Sequence, residues 1–210
     1  MAFNQRQAVA SLSPIMLRSI EQVAASSIRL DHDCTAQAVA DLSRLFTKDR
    51  ASLRSDYLDH PGHAAAYLQY FLPVNLSKIQ VLLDEMPQGW PDQASGSSIR
   101  ILDVGSGPGA GALAVLDWFH QHWPDRIRDL SAVAIDGSAE ALKQARLLWD
   151  AYSRESGATG GRLIAYEGSL ERFSNGPGLK AVDQQAPYDL IILANCLNEL
   201  FSRTANPIES

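Results

Sequence analysis

Residues 101–114, ILDVGSGPGAGALA, constrain this chain more than any other stretch. A short apolar run ends in glycines at 105, 107 and 109, and an apolar pattern at helical spacing follows them. Glycines at such a bend permit positive φ and let main-chain N–H groups face a bound molecule at a helix N-terminus. A strand that turns through glycines into a helix opens a doubly wound α/β sheet, whose ligands sit at the carboxyl ends of the strands. The spacing satisfies Gly-x-Gly-x-x-Gly/Ala, with Ala110 in the third place, but no Gly-Lys-Ser/Thr follows, which excludes a triphosphate loop.

The flanks extend the same pattern. IRILDV (99–104) reads as a strand and GALAVLDWFHQHW (111–123) as the helix leaving the glycines. SAVAID (131–136) is a second strand, followed by a helix over 138–152 that Ser138 can cap. GRLIAYEG (161–168) is a third strand. YDLIILANCL (188–197) is a fourth, and its near-continuous apolar run predicts a strand covered on both faces. Strands alternating with helices predict a parallel, doubly wound, Rossmann-like sheet of about four strands.

Before it, residues 1–98 read as helical. Ser13 and Pro14 suit an N-cap and first helical position, and Leu17, Ile20, Val23, Ala24 and Ile28 recur at helical spacing, predicting a helix to about Leu30. DHDCT (31–35) is expected to break it, AQAVADLSRLF to resume it, and 63–86 to hold two helical pieces joined near Pro73. PQGWPDQASGSS (87–98) reads as a linker. The expected division is a helical N-terminal cap, 1–98, and a ligand-binding α/β domain, 99–210. Trp118, Trp123 and Trp149, on helices flanking the sheet, are expected in the packing.

With 210 residues and 46% apolar residues, the chain can bury a sizeable core. The N-terminus lacks the apolar core of a secretory signal, and no run approaches the ~20 residues that cross a bilayer. The expectation is a cytoplasmic protein with no membrane partner, its Cys34 and Cys196 both reduced. A formal charge of −6 supplies no global basic field for nucleic acid, so any RNA contact must be local. The tetrad 31–34 holds four possible metal ligands without a second cluster at a known spacing, so no metal is expected.

Two acids refine the glycine motif. Asp103 stands two residues before the first glycine; aimed at the ligand, it would repel a diphosphate and attract an ammonium group, which argues against NAD. Asp136 ends the second strand, where a carboxylate can accept both hydrogen bonds of a ribose diol, in either cofactor class.

LDVGSGPG resembles the first motif of the class I S-adenosylmethionine-dependent methyltransferases. By that resemblance, which covers 99–200, S-adenosylmethionine is the cofactor. Asp103 and the loop Gly105, Ser106, Gly107, Pro108 and Gly109 would hold its methionine end, and Asp136 with Gly137 its ribose. Gly168, Ser169 and Leu170 would contact the adenine, and Asn195 would lie beside the sulfonium and the methyl acceptor. No catalytic base is implied: Cys196 lacks the proline before it that marks the cytosine-methylating enzymes, and the Asn-Pro-Pro-Tyr type sequence is absent.

A narrower resemblance joins AAYLQYFLPVNLSKIQVLLDEM, the glycine motif and YDLIILANCLNEL. Together they are similar to the methyltransferase-like small-ribosomal-subunit family of mitochondria and bacteria, which implies ribosomal RNA or the small subunit as partner. That family's cysteine cluster has no counterpart here, so an iron–sulfur site is not carried over. Class I sheets normally hold seven strands, whereas the fourth expected here lies close to Ser210. The expectation is therefore a fragment, or a sheet edge covered by a partner or a further segment. A non-catalytic, ribosome-linked cofactor-binding module and an NAD-dependent oxidoreductase stand as the alternatives.

Overall fold

The computed structural model describes residues 11–27, 32–49, 52, 57–86, 90, 98–157, 161–168, 180 and 182–196. Helix α1 (Pro14–Ser27) starts where proline costs nothing, because a first-turn N–H has no intrahelical partner. Ser13 Oγ accepts the Met16 N–H at 3.1 Å, which makes Ser13 the cap. Helix α2 (His32–Thr47) takes in most of the expected breaker: Asp33, Cys34 and Thr35 lie in its opening turns, with Asp33 at the positive end of the helix dipole. Asp31 lies outside the described residues.

A 3-10 turn, Tyr57–Asp59, leads to α3 (Pro61–Ala66) and α4 (Leu72–Asp84). Between them Tyr67–Phe71 forms a π-turn, in which the Leu72 N–H reaches back five residues to the Tyr67 carbonyl. The expected joint at Pro73 is thus a widened turn in a continuous helical run. Proline has no N–H and its ring crowds the carbonyl four residues back, so a wider turn relieves a clash that would otherwise kink the helix.

Strands β1 (Ile99–Val104), β2 (Leu130–Asp136), β3 (Arg162–Glu167) and β4 (Leu190–Ile192) form one parallel sheet in the order β3-β2-β1-β4. Helix α5 (Ala110–His122) connects β1 to β2, and α6 (Ala139–Ser156) connects β2 to β3. Ile99 pairs with Leu130 and Val104 with Ile135, so the carboxyl ends of the two central strands lie level. This is the Rossmann-like α/β architecture expected from the sequence.

Period-two alternation divides the sheet residues between two cores. Ile99, Ile101, Leu130 and Ala132 join an apolar cluster with α5 and α6 that continues into Met16, Leu68, Leu72 and Leu76. The helical region and the sheet therefore share one core. On the opposite face Leu102, Val104, Val133 and Ile135 pack with Val182. Trp118 and Trp149 are buried, as expected.

Strand β4 departs from expectation. It spans three residues, and Ile191 and Leu193 are 54% and 44% exposed rather than covered on both faces. It pairs with β1 and is, with β3, one of the sheet's two outer strands among the described residues.

One buried carboxylate ties the helices together. Asp117, in the middle of α5, accepts from the Ser13 N–H at 3.1 Å and from the Ser13 hydroxyl. It also accepts from Gln80 Nε2 at 2.8 Å, Gln121 Nε2 at 3.1 Å and the Tyr152 hydroxyl at 2.9 Å. Burial, with the Asp117 charge beside it, pushes the Tyr152 hydroxyl well above the usual phenol range, so it stays protonated and donating. No helix among the described residues is long and apolar enough to cross a membrane.

Candidate functional site

The glycine loop lies at the carboxyl ends of β1 and β2, between β1 and α5. Gly105, Gly107 and Gly109 take φ values of 65°, 52° and 87°, the left-handed region where a β-carbon is strained. Gly105 meets a further demand: Cys196, buried beyond β4, packs on it so closely that a β-carbon at 105 would run into Cys196 Cβ and lie 3.2 Å from Sγ.

The N–H groups of Ser106, Gly107, Gly109 and Ala110 are committed. Ser106 N–H bonds to the Ile135 carbonyl at 2.9 Å, while Gly109 and Ala110 both return to the Ser106 carbonyl. Gly107 N–H donates to Asp136 Oδ2 at 2.8 Å, and Ser138 N–H to Asp136 Oδ1 at 2.8 Å. In the first turn of α5, Ala112 N–H donates to Asp103 Oδ2 at 2.8 Å, and the Gly111 N–H also bonds Asp103. Pro108, buried, has no N–H to offer.

Asp103 is not aimed outward at a ligand, as charge-matching at the strand end expects. It is 1% exposed, and its carboxylate is folded onto the N-terminus of α5. The cause is alternation: Ile99, Ile101 and Asp103 share one face of β1, the face that α5 covers. Burial, with a smaller push from the neighbouring Asp136 charge and against the two helix N–H bonds, raises its pKa to about 7.

Asp136 is half-buried at the end of β2, and burial raises its pKa, opposed by bonds from Ser138, Gly107 and Gly137. Gly107 and Ser138 each bond one carboxylate oxygen and Gly137 N–H bonds the group as well, which leaves acceptor capacity for a further hydroxyl such as one of a ribose. Gly137, beside it, is exposed, and among the described residues nothing stands within 4 Å of where its β-carbon would be. Gly168 N–H donates to the Asp136 carbonyl at 2.9 Å, bringing the end of β3 to the same rim. Ser169 and Leu170 lie outside the described residues. Asn195 is exposed, with φ 63°, at the bend that carries the chain from β4 to Cys196.

The helical region adds residues to which the sequence motifs give no role at the loop. Tyr67, in the π-turn, puts its hydroxyl 3.9 Å from the β-carbon position of Gly107 and accepts from Asn75 Nδ2 at 3.2 Å. Asp59 Oδ1 accepts from the Ser138 hydroxyl at 3.1 Å, beside Asp136. Tyr67 opens a Tyr-x-x-x-x-x-Pro run that ends at Pro73, whose ring favours the widened turn between them.

A cleft of about 300 Å³ opens at the other end of the sheet, lined by Arg100, Ser131, Arg162 and Gln185. It faces the amino ends of the strands, and both guanidinium groups are tied down, Arg100 to the Gln185 and Ala186 carbonyls and Arg162 to Gln185 Oε1. The glycine loop, where two acids and the helical region converge at the carboxyl ends, is the candidate for a ligand site. No protein-family model matches the chain, and no curated protein matches it.

Proposed function

We propose that this chain is the cofactor-binding domain of an S-adenosylmethionine-dependent methyltransferase, with S-adenosylmethionine seated across the Gly105–Gly109 loop and its ribose diol on Asp136. One observation carries this reading: the N–H groups that a dinucleotide's diphosphate would need are already spent, those of Gly111 and Ala112 on Asp103 and that of Gly107 on Asp136. A diphosphate over this loop would have to displace a buried carboxyl from a helix N-terminus and sit beside a second one. A nucleoside that carries no phosphate meets neither obstacle.

The chemistry asked of the protein is modest. The sulfonium carries an activated methyl group, so the work is to align an acceptor for in-line displacement and to exclude water. Gly137 leaves room for the ribose, and Asn195 and Cys196 stand where the acceptor side of the site would open.

Calorimetric titration with S-adenosylhomocysteine and with NAD tests the reading. Wild type should bind the first and not the second. Asp136→Ala should weaken binding by about tenfold, because a charge-assisted bond to the ribose is lost. Binding of NAD alone would overturn it.

A further inference from the structure

Strand register sets three polar residues in a row at the amino ends of the sheet. Arg100 on β1 pairs with Ser131 on β2, and Ser131 with Arg162 on β3. An arginine therefore flanks the serine on each side, about 5 Å away between strands. Alternation puts the row on the face of Leu102, Val133 and Ile164, where Val182 packs. All three line the cleft of about 300 Å³. The glycine loop begins five residues after Arg100, roughly 17 Å away at the rise of a strand, so the cleft is a separate place.

The two guanidinium groups converge on Gln185. Arg100 Nη1 donates to the Gln185 and Ala186 carbonyls at 3.5 and 3.2 Å, and Arg162 Nη2 donates to Gln185 Oε1 at 3.2 Å. These acceptors are neutral. Asp129 lines the cleft and Asp189 accepts the Arg100 main-chain N–H, yet neither arginine forms an ion pair among the described residues. Two like charges brought to one residue repel, and an anion between them relieves the repulsion.

The donors for an anion are already in place. The bonds to Gln185 and Ala186 occupy one nitrogen of each guanidinium. The Nε–H and the second terminal nitrogen of each, with the Ser131 hydroxyl between them, have no acceptor among the described residues. Guanidinium forks match a phosphate bidentately, and side chains held before the ligand arrives lose less entropy on binding. In a chain of net charge −6, the cleft lining carries two arginines against one acid, Asp129.

We propose that Arg100, Ser131 and Arg162 form a binding site for a phosphate group, either the free ion or the end of a small phosphate monoester. The site is independent of the methyltransferase reading. Its occupant ties the turn at Gln185, which leads into β4, to β1 and β3.

The test uses the whole chain. Inorganic phosphate is titrated by calorimetry and in thermal denaturation, with ionic strength held constant by chloride, for wild type, Arg162→Gln, Arg100→Gln and Arg146→Gln. Wild type should bind one phosphate saturably, with a Tm that rises as the site fills. Arg162→Gln and Arg100→Gln should each weaken binding by about tenfold, the worth of a charge-assisted bond. Arg146, which bonds the Ala165 carbonyl away from the cleft, is the control and should change nothing. If Arg100→Gln fails to fold, the exposed Arg162 carries the test. Phosphate also stabilises proteins by exclusion from their surface. A Tm that rises without saturating and equally in all four proteins, an unchanged affinity in Arg162→Gln, or no calorimetric binding overturns the proposal. Methyl phosphate separates the two sources: its binding supports a monoester, and its rejection beside bound inorganic phosphate supports the free ion.

Discussion

Gly111 and Asp103 occupy one space: a β-carbon on Gly111 would stand 2.6 Å from Asp103 Cγ, so the carboxyl can reach the first turn of α5 only because residue 111 has no side chain. An acid at a helix N-terminus is electrostatically favoured. Here it is also sealed from water, and the site inherits a buried, titratable group at its base.

Gly111→Ala should therefore push Asp103 off Ala112 and strain the opening of α5. A loss of about 1–3 kcal/mol, as for other overpacked cores, is expected in urea denaturation. A variant as stable as wild type would show that the helix can shift to make room.

Asp103 also makes stability depend on pH. Its ordinary pKa of 3.8 applies when unfolded and about 7 when folded, so between these values the folded chain keeps a proton that the unfolded chain has released. Stability should then fall as pH rises from about 4 to about 7 and level off above. Asp136, also raised, acts in the same direction. Asp103→Asn keeps an acceptor for the helix and cannot ionise, so its profile should be flatter, with the slope from Asp136 remaining. Denaturation curves across that range for both proteins decide it; a wild type that gains stability toward neutral pH would contradict the assignment.

Asp117→Ala should be the most damaging single change outside the sheet. It strands the Ser13, Gln80 and Tyr152 donors in a dry interior, at about 1–3 kcal/mol for each group left unpaired. Loss of the cooperative unfolding transition is the expected result. Asp117→Asn, which retains one acceptor, should unfold cooperatively at a lower midpoint.

The contact between Gly105 and Cys196 yields a double-mutant cycle. Gly105→Ala adds a β-carbon that collides with Cys196 Cβ and strains a backbone at φ 65°. Adding Cys196→Gly removes the collision and leaves the strain, so the double variant should be more stable than the sum of the two single changes predicts. Strict additivity would mean that the loop after β4 moves aside at no cost.

The sheet is legible in the sequence because each of its signals is local. Ile99, Ile101 and Val104 precede glycines that need positive φ, and Ser138 caps α6 as its residue type predicts, accepting from Ala141 N–H. At Asp103 two local signals compete. The glycine motif alone turns it toward a ligand, whereas its alternation with Ile99 and Ile101 turns it toward α5, and the alternation wins. The start of α2 is obscured because polar residues such as Asp33 suit a helix's first turn as well as a break. Strand β4 is shorter than its apolar run because such a run does not say how much of it pairs. Tyr67 lies in the stretch AAYLQYFLPVNLSKIQVLLDEM, which carries a resemblance but does not show that its hydroxyl meets Gly107, because that approach spans forty positions and depends on how the helices dock.

The convergence on Asp117 also leaves a mark that inheritance should reveal. An acid there is tolerable only while Ser13 and Gln80 arrive to answer it, so descendants of this chain that shed the opening helix should carry an apolar residue at 117. Positions 13, 80 and 117 are then expected to change in concert across any lineage, a covariation readable from genomes without purifying a molecule.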